Sequence, residues 1–143
     1  MAATAIVTVE RRFAAAPETL FDAWLDPESL GQWLFRTPAG TLERVEVDPR
    51  VGGGFRVDER RDGEVAEHHG EFVELDRPRR LAFDFWTSFS EERTRVTIAI
   101  AAVEGGALLT LTHDGVWADY QDRTAQGWTM ILEGLERGIA GHH

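Results

Sequence analysis

Hydrophobic and polar residues alternate along most of this chain, with the period of two that half-buried β-strands show. The segment IVTVERRF, residues 6–13, places Val7, Val9 and Phe13 on one side and hydroxyl or charged residues on the other. The same alternation returns in LERVEV, GFRVDE, HHGEFVEL, LAFDFW, RVTIAIAAV and ALLTLTH. Turn signals such as RDGE and DRPRR separate these segments. The pattern predicts about six or seven short antiparallel strands.

Helical periods appear in two regions. After the first strand, APETLFDAWL and DPESLGQW each place a proline at the first turn of a predicted short helix with one apolar face. From Tyr120 to about Ala140 a long amphipathic helix is predicted, about 30 Å in length at ~1.5 Å per residue. We therefore predict one α+β domain over residues 1–143, a curved antiparallel sheet wrapped around the C-terminal helix. The apolar stripe of that helix consists of Trp128, Ile131, Leu132, Leu135 and Ile139.

Composition excludes several classes of function. The 25 acidic and 15 basic residues give a formal charge of −10, which disfavours nucleic acid, a ligand that proteins bind through Lys and Arg. Cys, Lys and Asn are absent, so thiolate nucleophiles, disulfides and Schiff bases are excluded. No long apolar run or signal-peptide pattern is present, and we expect a cytoplasmic protein without membrane insertion. His142 and His143 end the chain, and the sequence leaves open whether they are native.

Three consecutive glycines in EVDPRVGGGFRV precede a predicted strand. A phosphate-binding glycine loop is instead followed by a helix or carries a Lys. We therefore predict that Gly52, Gly53 and Gly54 form a tight turn with positive φ, in which β-carbons would collide. Asp48 and Arg50 are expected to pair around this turn.

Strand alternation indicates which polar groups could face a ligand cavity. Counting along HHGEFVEL places His69 and Glu71 on the same face as Leu75 and turns His68 away. His113 ends the apolar face of its own strand, so these three polar residues could converge at one end of the cavity. Alternatively, these residues only lie at the edge of the sheet, in contact with solvent. They lack metal-ligand spacing, and neither a metal nor a cofactor is predicted.

Five tryptophans provide further candidates for the cavity. Trp24 and Trp128 fit the core, whereas Trp33 and Trp117 are candidates for the cavity mouth. The predicted cavity lies between the long helix and the sheet, and its predicted lining is Trp33, Phe55, Val57, His69, Glu71, Phe83, Phe85, Leu111, His113, Trp117, Trp128 and Leu132.

The order of elements, together with FDAWLDPESLGQW, VDPRVGGGFRV, HGEFVELDRPRRLAFDF and LTLTH, resembles the START-like or SRPBCC helix-grip superfamily. Within it, the chain is most similar to homologues of the activator of the heat-shock protein 90 ATPase. The resemblance implies a helix-grip fold with a cavity like those of lipid-binding relatives. Fold alone does not imply activity, since the superfamily includes carriers, cyclases and receptors.

Three functions stay open at this point. The first is non-catalytic binding of a hydrophobic or amphipathic small molecule. The second is a cyclase or dehydratase that uses His113 or Glu71 for proton transfer. The third is a protein-interaction module of the co-chaperone type, connected with the stress response, although the sequence shows only one domain. A homodimer is also left open.

Overall fold

A computed structural model describes residues 3–26, 28–30, 41–61, 63–88 and 90–140 of the chain. In this part of the chain, seven strands form one antiparallel sheet in the order β1-β7-β6-β5-β4-β3-β2. A 3-10 turn, Ala118–Tyr120, leads from the sheet into the long C-terminal helix. The bounds are β1 Thr4–Phe13, α1 Pro17–Ala23, β2 Thr41–Val47, β3 Gly54–Arg61, β4 Glu64–Asp76, β5 Arg80–Thr87, β6 Ser90–Val103, β7 Gly106–Trp117 and α2 Gln121–Ala140.

This architecture confirms the predicted helix-grip fold. Strand β1 pairs with β7 although the two are farthest apart in sequence, and the remaining neighbours are consecutive hairpins. Of the second predicted short helix, residues 28–30 are helical. The rest of that segment, including Trp33, lies outside the described residues.

Helix α2 packs along the sheet through the predicted apolar stripe. Trp128, Leu132 and Leu135 are buried, and Ile131 and Ile139 pack against the same core. On the margin of the stripe, Arg11 of β1 and Glu136 form an ion pair of 2.6 Å. Packing of the apolar face, more than helix propensity, therefore stabilises this helix.

The middle of the space between helix and sheet is filled by aromatic side chains. The rings of Phe55 and Phe83 meet edge to face with centroids 4.9 Å apart, and Phe72 lies 6.3 Å from Phe83. Trp24, just after α1, is 6.4 Å from the same ring. A ligand cavity in the centre of the fold would have to displace this packing.

The triple glycine forms the predicted turn. Gly52 has φ +88°, a backbone conformation that favours glycine. A β-carbon on Gly54 would lie 1.9 Å from the carbonyl oxygen of Gly70 on the neighbouring strand, so only glycine fits there. Arg50 Nε donates to Asp48 Oδ2 at 2.8 Å, and the predicted pair is confirmed.

The orientation of β4 differs from the prediction. His68 and Phe72 face the core, and the neighbouring His69 and Glu71 therefore face the outer surface of the sheet. The reason is a β-bulge between Phe72 and Glu74, where one extra residue reverses the alternation. Leu75 does pack on the core, but counting backward from it gives the wrong face for every residue before the bulge.

Candidate functional site

A cavity of about 530 Å³ lies where the ends of β5, β6 and β7 meet the start of α2. Aromatic and apolar residues form most of its wall: Phe85, Trp86, Val116, Trp117 and Tyr120. Three threonines, Thr87, Thr94 and Thr124, add hydroxyl groups, His113 adds an imidazole, and Arg123 adds a guanidinium. The cavity is therefore apolar with a polar rim.

Irregularities in the strands open the sheet at this end. Gly115, with φ +92°, is an extra residue of β7 opposite the step from Ala5 to Ile6 in β1. It lets Val116 take the buried side of the strand, although His113 three residues earlier is also buried. A second register shift separates Phe85 from Thr87 where β5 pairs with β6.

His113 forms a hydrogen bond through each ring nitrogen. Trp128 Nε1, which can only donate, donates to Nδ1 at 3.0 Å, so Nδ1 carries no proton. The protonated Nε2 then donates to Thr94 Oγ1 at 2.7 Å. The Thr94 hydroxyl in turn donates to the carbonyl oxygen of Phe85 at 3.3 Å. This network defines one neutral tautomer and holds β5, β6, β7 and α2 together.

Burial lowers the pKa of His113 from 6.5 to about 4, and the neighbouring carboxylate of Asp114 only partly opposes this shift. The ring is therefore neutral at pH 7. Its Nδ1 lone pair already accepts from Trp128, so the lone pair is not available to remove a proton from a ligand. In this arrangement His113 is a structural polar group in the cavity wall.

His69 and Glu71 do not join His113, and the predicted convergence of the three is wrong. On the outer face, His69 Nε2 lies 3.0 Å from Glu67 Oε1, and the imidazole stacks on Trp86 at 5.4 Å between centroids. The guanidinium of Arg93 lies 3.9 Å from the centre of the same indole and 4.0 Å from the Glu71 carboxylate. These residues form a stacked, ion-paired surface.

The remaining predicted lining residues separate into two groups. Phe85, His113 and Trp117 line the cavity. Trp128 is buried behind it, bonded to His113. The other group belongs to the closed core rather than to the cavity: Phe55, Val57, Phe83, Leu111 and Leu132.

Several lining residues were missed from the sequence. Thr94 and Trp86 depend on the shifted register at the end of β5, which leaves no local signal. Tyr120 and Arg123 do have a signal, because an aromatic residue and an arginine three positions apart lie on one side of a helix start. The guanidinium of Arg123 is 5.7 Å from the centre of the Tyr120 ring.

Two further features bear on the classes of site. Within the described ranges, no group of three or more His, Asp or Glu side chains could hold a metal ion. Over the same ranges, no helix combines the length and the apolar character that a membrane span requires.

Comparison with known proteins agrees with this geometry. A protein of unknown function from Staphylococcus aureus has a TM-score of 0.87 at 18% identity, covering 97% of this chain and 95% of that one. An AHSA1-like protein from Aeromonas hydrophila has a TM-score of 0.83 at 22% identity, with 97% of each chain covered. A putative uncharacterized protein from Rhizobium leguminosarum reaches 0.82 at 25% identity, covering 98% of this chain and 97% of that one.

These structural neighbours share the fold of this chain. No curated protein matches the chain significantly. The family model of the Activator of Hsp90 ATPase homolog 1-like proteins matches residues 14–139, which is most of the sequence. The chain therefore belongs to the family of Activator of Hsp90 ATPase homolog 1-like proteins.

Proposed function

We propose that this protein binds an amphipathic small molecule in the cavity between the start of α2 and the ends of β5, β6 and β7. The observation that carries the proposal is the aromatic wall formed by Phe85, Trp117 and Tyr120 around about 530 Å³ of space. Small-molecule sites typically enclose ~300 to 1,000 Å³, with mostly apolar walls and a few polar groups that orient the ligand.

Binding without chemical change is the mode that the side chains support best. Acid–base catalysis by a predicted residue needs His113 or Glu71 within hydrogen-bond reach of the ligand, with a lone pair or proton that is free to transfer. The described lining includes no carboxylate. Its one histidine, His113, has both nitrogens engaged. Glu71, the other candidate for a cyclase or dehydratase mechanism, faces the opposite side of the sheet. We therefore propose a carrier or sensor of a small molecule.

Thr124→Trp tests the proposal, because it places an indole where α2 borders the cavity. Gln126→Trp is the matched control, since Gln126 is exposed on the same helix and does not line the cavity. The probe is N-phenyl-1-naphthylamine, an uncharged dye whose fluorescence rises in apolar surroundings. We expect the wild type and Gln126→Trp to bind one equivalent with similar Kd, and Thr124→Trp to bind at least about tenfold more weakly.

Thermal unfolding of each variant shows whether the fold is retained. Equal Kd values for the two tryptophan variants, in proteins that unfold at similar temperatures, would contradict the proposal. A lack of dye binding by the wild type would contradict it as well.

A further inference from the structure

We infer that the ligand of this cavity carries an anionic group, which Arg123 binds while the aromatic wall holds a flat apolar body. The inference rests on the proposed function and specifies the chemical class of the ligand. Carboxylates, sulfonates and phosphate esters share the relevant chemistry, namely negatively charged oxygens that accept hydrogen bonds from a guanidinium.

The lining of the cavity carries one charged side chain. Among the described residues that border the cavity, Arg123 is the only one whose side chain carries a formal charge at pH 7. His113 is neutral there because its Nδ1 accepts from Trp128 and burial lowers its pKa. The whole chain has a formal charge of −10. A single positive group in an otherwise uncharged lining attracts an anion locally, and this local attraction opposes the repulsion from the net negative charge of the chain.

Arg123 forms no ion pair with any side chain that the structure describes. Most arginines in the chain do, as Arg56 does with Asp58 at 3.0 Å and Arg77 with Asp22 at 2.8 Å. Among the carboxylates whose side chains are described, none lies within 4.0 Å of Arg123, whose described interaction is with the ring of Tyr120. A guanidinium near an aromatic face retains N–H donors for an anion.

Arg123 is also well positioned to bind one end of a ligand. Arg123 lies in the first turn of α2, between Tyr120 and Thr124 of the same lining. An anionic group bound there would have the Thr124 hydroxyl beside it and the aromatic wall beyond it. The wall, formed by Phe85 and Trp117, suits a planar apolar body because aromatic rings pack well against flat surfaces. A ligand that matches this arrangement is an amphipathic anion, with its negative charge at Arg123 and its apolar body against the aromatic residues.

The test uses two dyes with one skeleton. The first, 8-anilinonaphthalene-1-sulfonate, carries a sulfonate, and N-phenyl-1-naphthylamine is the same molecule without it. Each is titrated into the wild type, Arg123→Gln and Arg137→Gln. Arg137 provides the matched control, since it is an exposed arginine near the other end of α2 and, within the described residues, also forms no ion pair. Each of the two substitutions therefore removes one positive charge from α2.

We expect Arg123→Gln to weaken binding of the sulfonate dye about fivefold to tenfold, the scale of a charge-assisted hydrogen bond that is partly exposed to water. The same substitution should leave Kd for the uncharged dye within about twofold. In Arg137→Gln, both Kd values should stay near those of the wild type. Added salt should reduce the advantage that Arg123 gives to the sulfonate dye.

The outcomes separate this inference from the proposed function. If neither dye binds the wild type, both proposals are wrong. If both dyes bind but Arg123→Gln changes the two affinities equally, the cavity binds small molecules and the anion preference is wrong. An equal loss of sulfonate binding in Arg137→Gln would assign the effect to overall charge and would also overturn the inference.

Discussion

Acidification should destabilise this protein through His113. In the folded state, burial holds the pKa of the ring at about 4, whereas an unfolded chain has a value near 6.5. Between these two pH values the unfolded state binds the additional proton. Stability is therefore fully present above pH 6.5, falls as the pH drops toward 4, and loses nothing more from this group below that point.

The size of the effect follows from the two pKa values. Each tenfold difference in proton affinity corresponds to ~1.4 kcal/mol, so the full change is roughly 3 kcal/mol, and about 2.5 kcal/mol of it should be lost by pH 4.5. That is a large fraction of the ~5 to 15 kcal/mol by which typical domains are stable. The side chain is only 6% exposed, so solvent screening does not reduce the effect much.

Urea unfolding at pH 7.0, 5.5 and 4.5 measures this loss for the wild type and for His113→Gln. Glutamine does not titrate, but its amide can accept from Trp128 and donate to Thr94, as the neutral imidazole does. The free energy of unfolding of the wild type should fall by roughly 2 to 3 kcal/mol more than that of the variant. If the free energy of unfolding fell equally with pH in both proteins, the conclusion that His113 is buried and neutral would be wrong.

Two other predictions concern packing and charge. A β-carbon on Gly70 would lie 2.1 Å from the Phe55 ring, so Gly70→Ala should lower the free energy of unfolding by about 1 to 3 kcal/mol in urea titrations. Gly127→Ala, on α2 with open space around it, should instead raise it by about 0.5 to 1 kcal/mol, and a loss there would contradict the packing described. The hydrogen bond from Arg77 lowers the pKa of Asp22 below 3.8. In Arg77→Gln, NMR titration should find the pKa of Asp22 raised. The free energy of unfolding at pH 7 should fall only slightly because the pair is exposed to solvent, and this difference should vanish as acid protonates Asp22. An unchanged Asp22 pKa would contradict the pairing.

Most of the fold could be predicted because local patterns and global packing agree. Alternation predicted the strands, and the stripe of Trp128, Leu132 and Leu135 predicted the long helix and its buried side. The turn at the triple glycine could also be predicted from its local sequence. A glycine that precedes a strand rather than a helix points to backbone crowding, and the close approach of Gly54 to Gly70 confirms it.

The candidate site was predicted less well, because it lies where strand alternation is interrupted. Because of the bulge after Phe72, His69 and Glu71 lie on the face opposite to the predicted one. In β7, the extra residue Gly115 places Val116 on the buried side of the strand. A bulge adds one residue without any fixed sequence signal, so alternation counted across it changes face. For His113 and Phe85, alternation indicates the face on which the structure places them, because no bulge separates them from the apolar residues that identify that face.

The tryptophan indole N–H signals, followed by NMR during a titration with N-phenyl-1-naphthylamine, test the central claim most directly. Trp117 lines the cavity, whereas Trp24 is buried against Phe83 in the closed core. We expect the Trp117 signal to shift and to saturate at one equivalent of dye, while the Trp24 signal moves little. A saturating shift at Trp24 with none at Trp117 would show that the ligand enters elsewhere, and it would contradict the assignment of this cavity as the binding site.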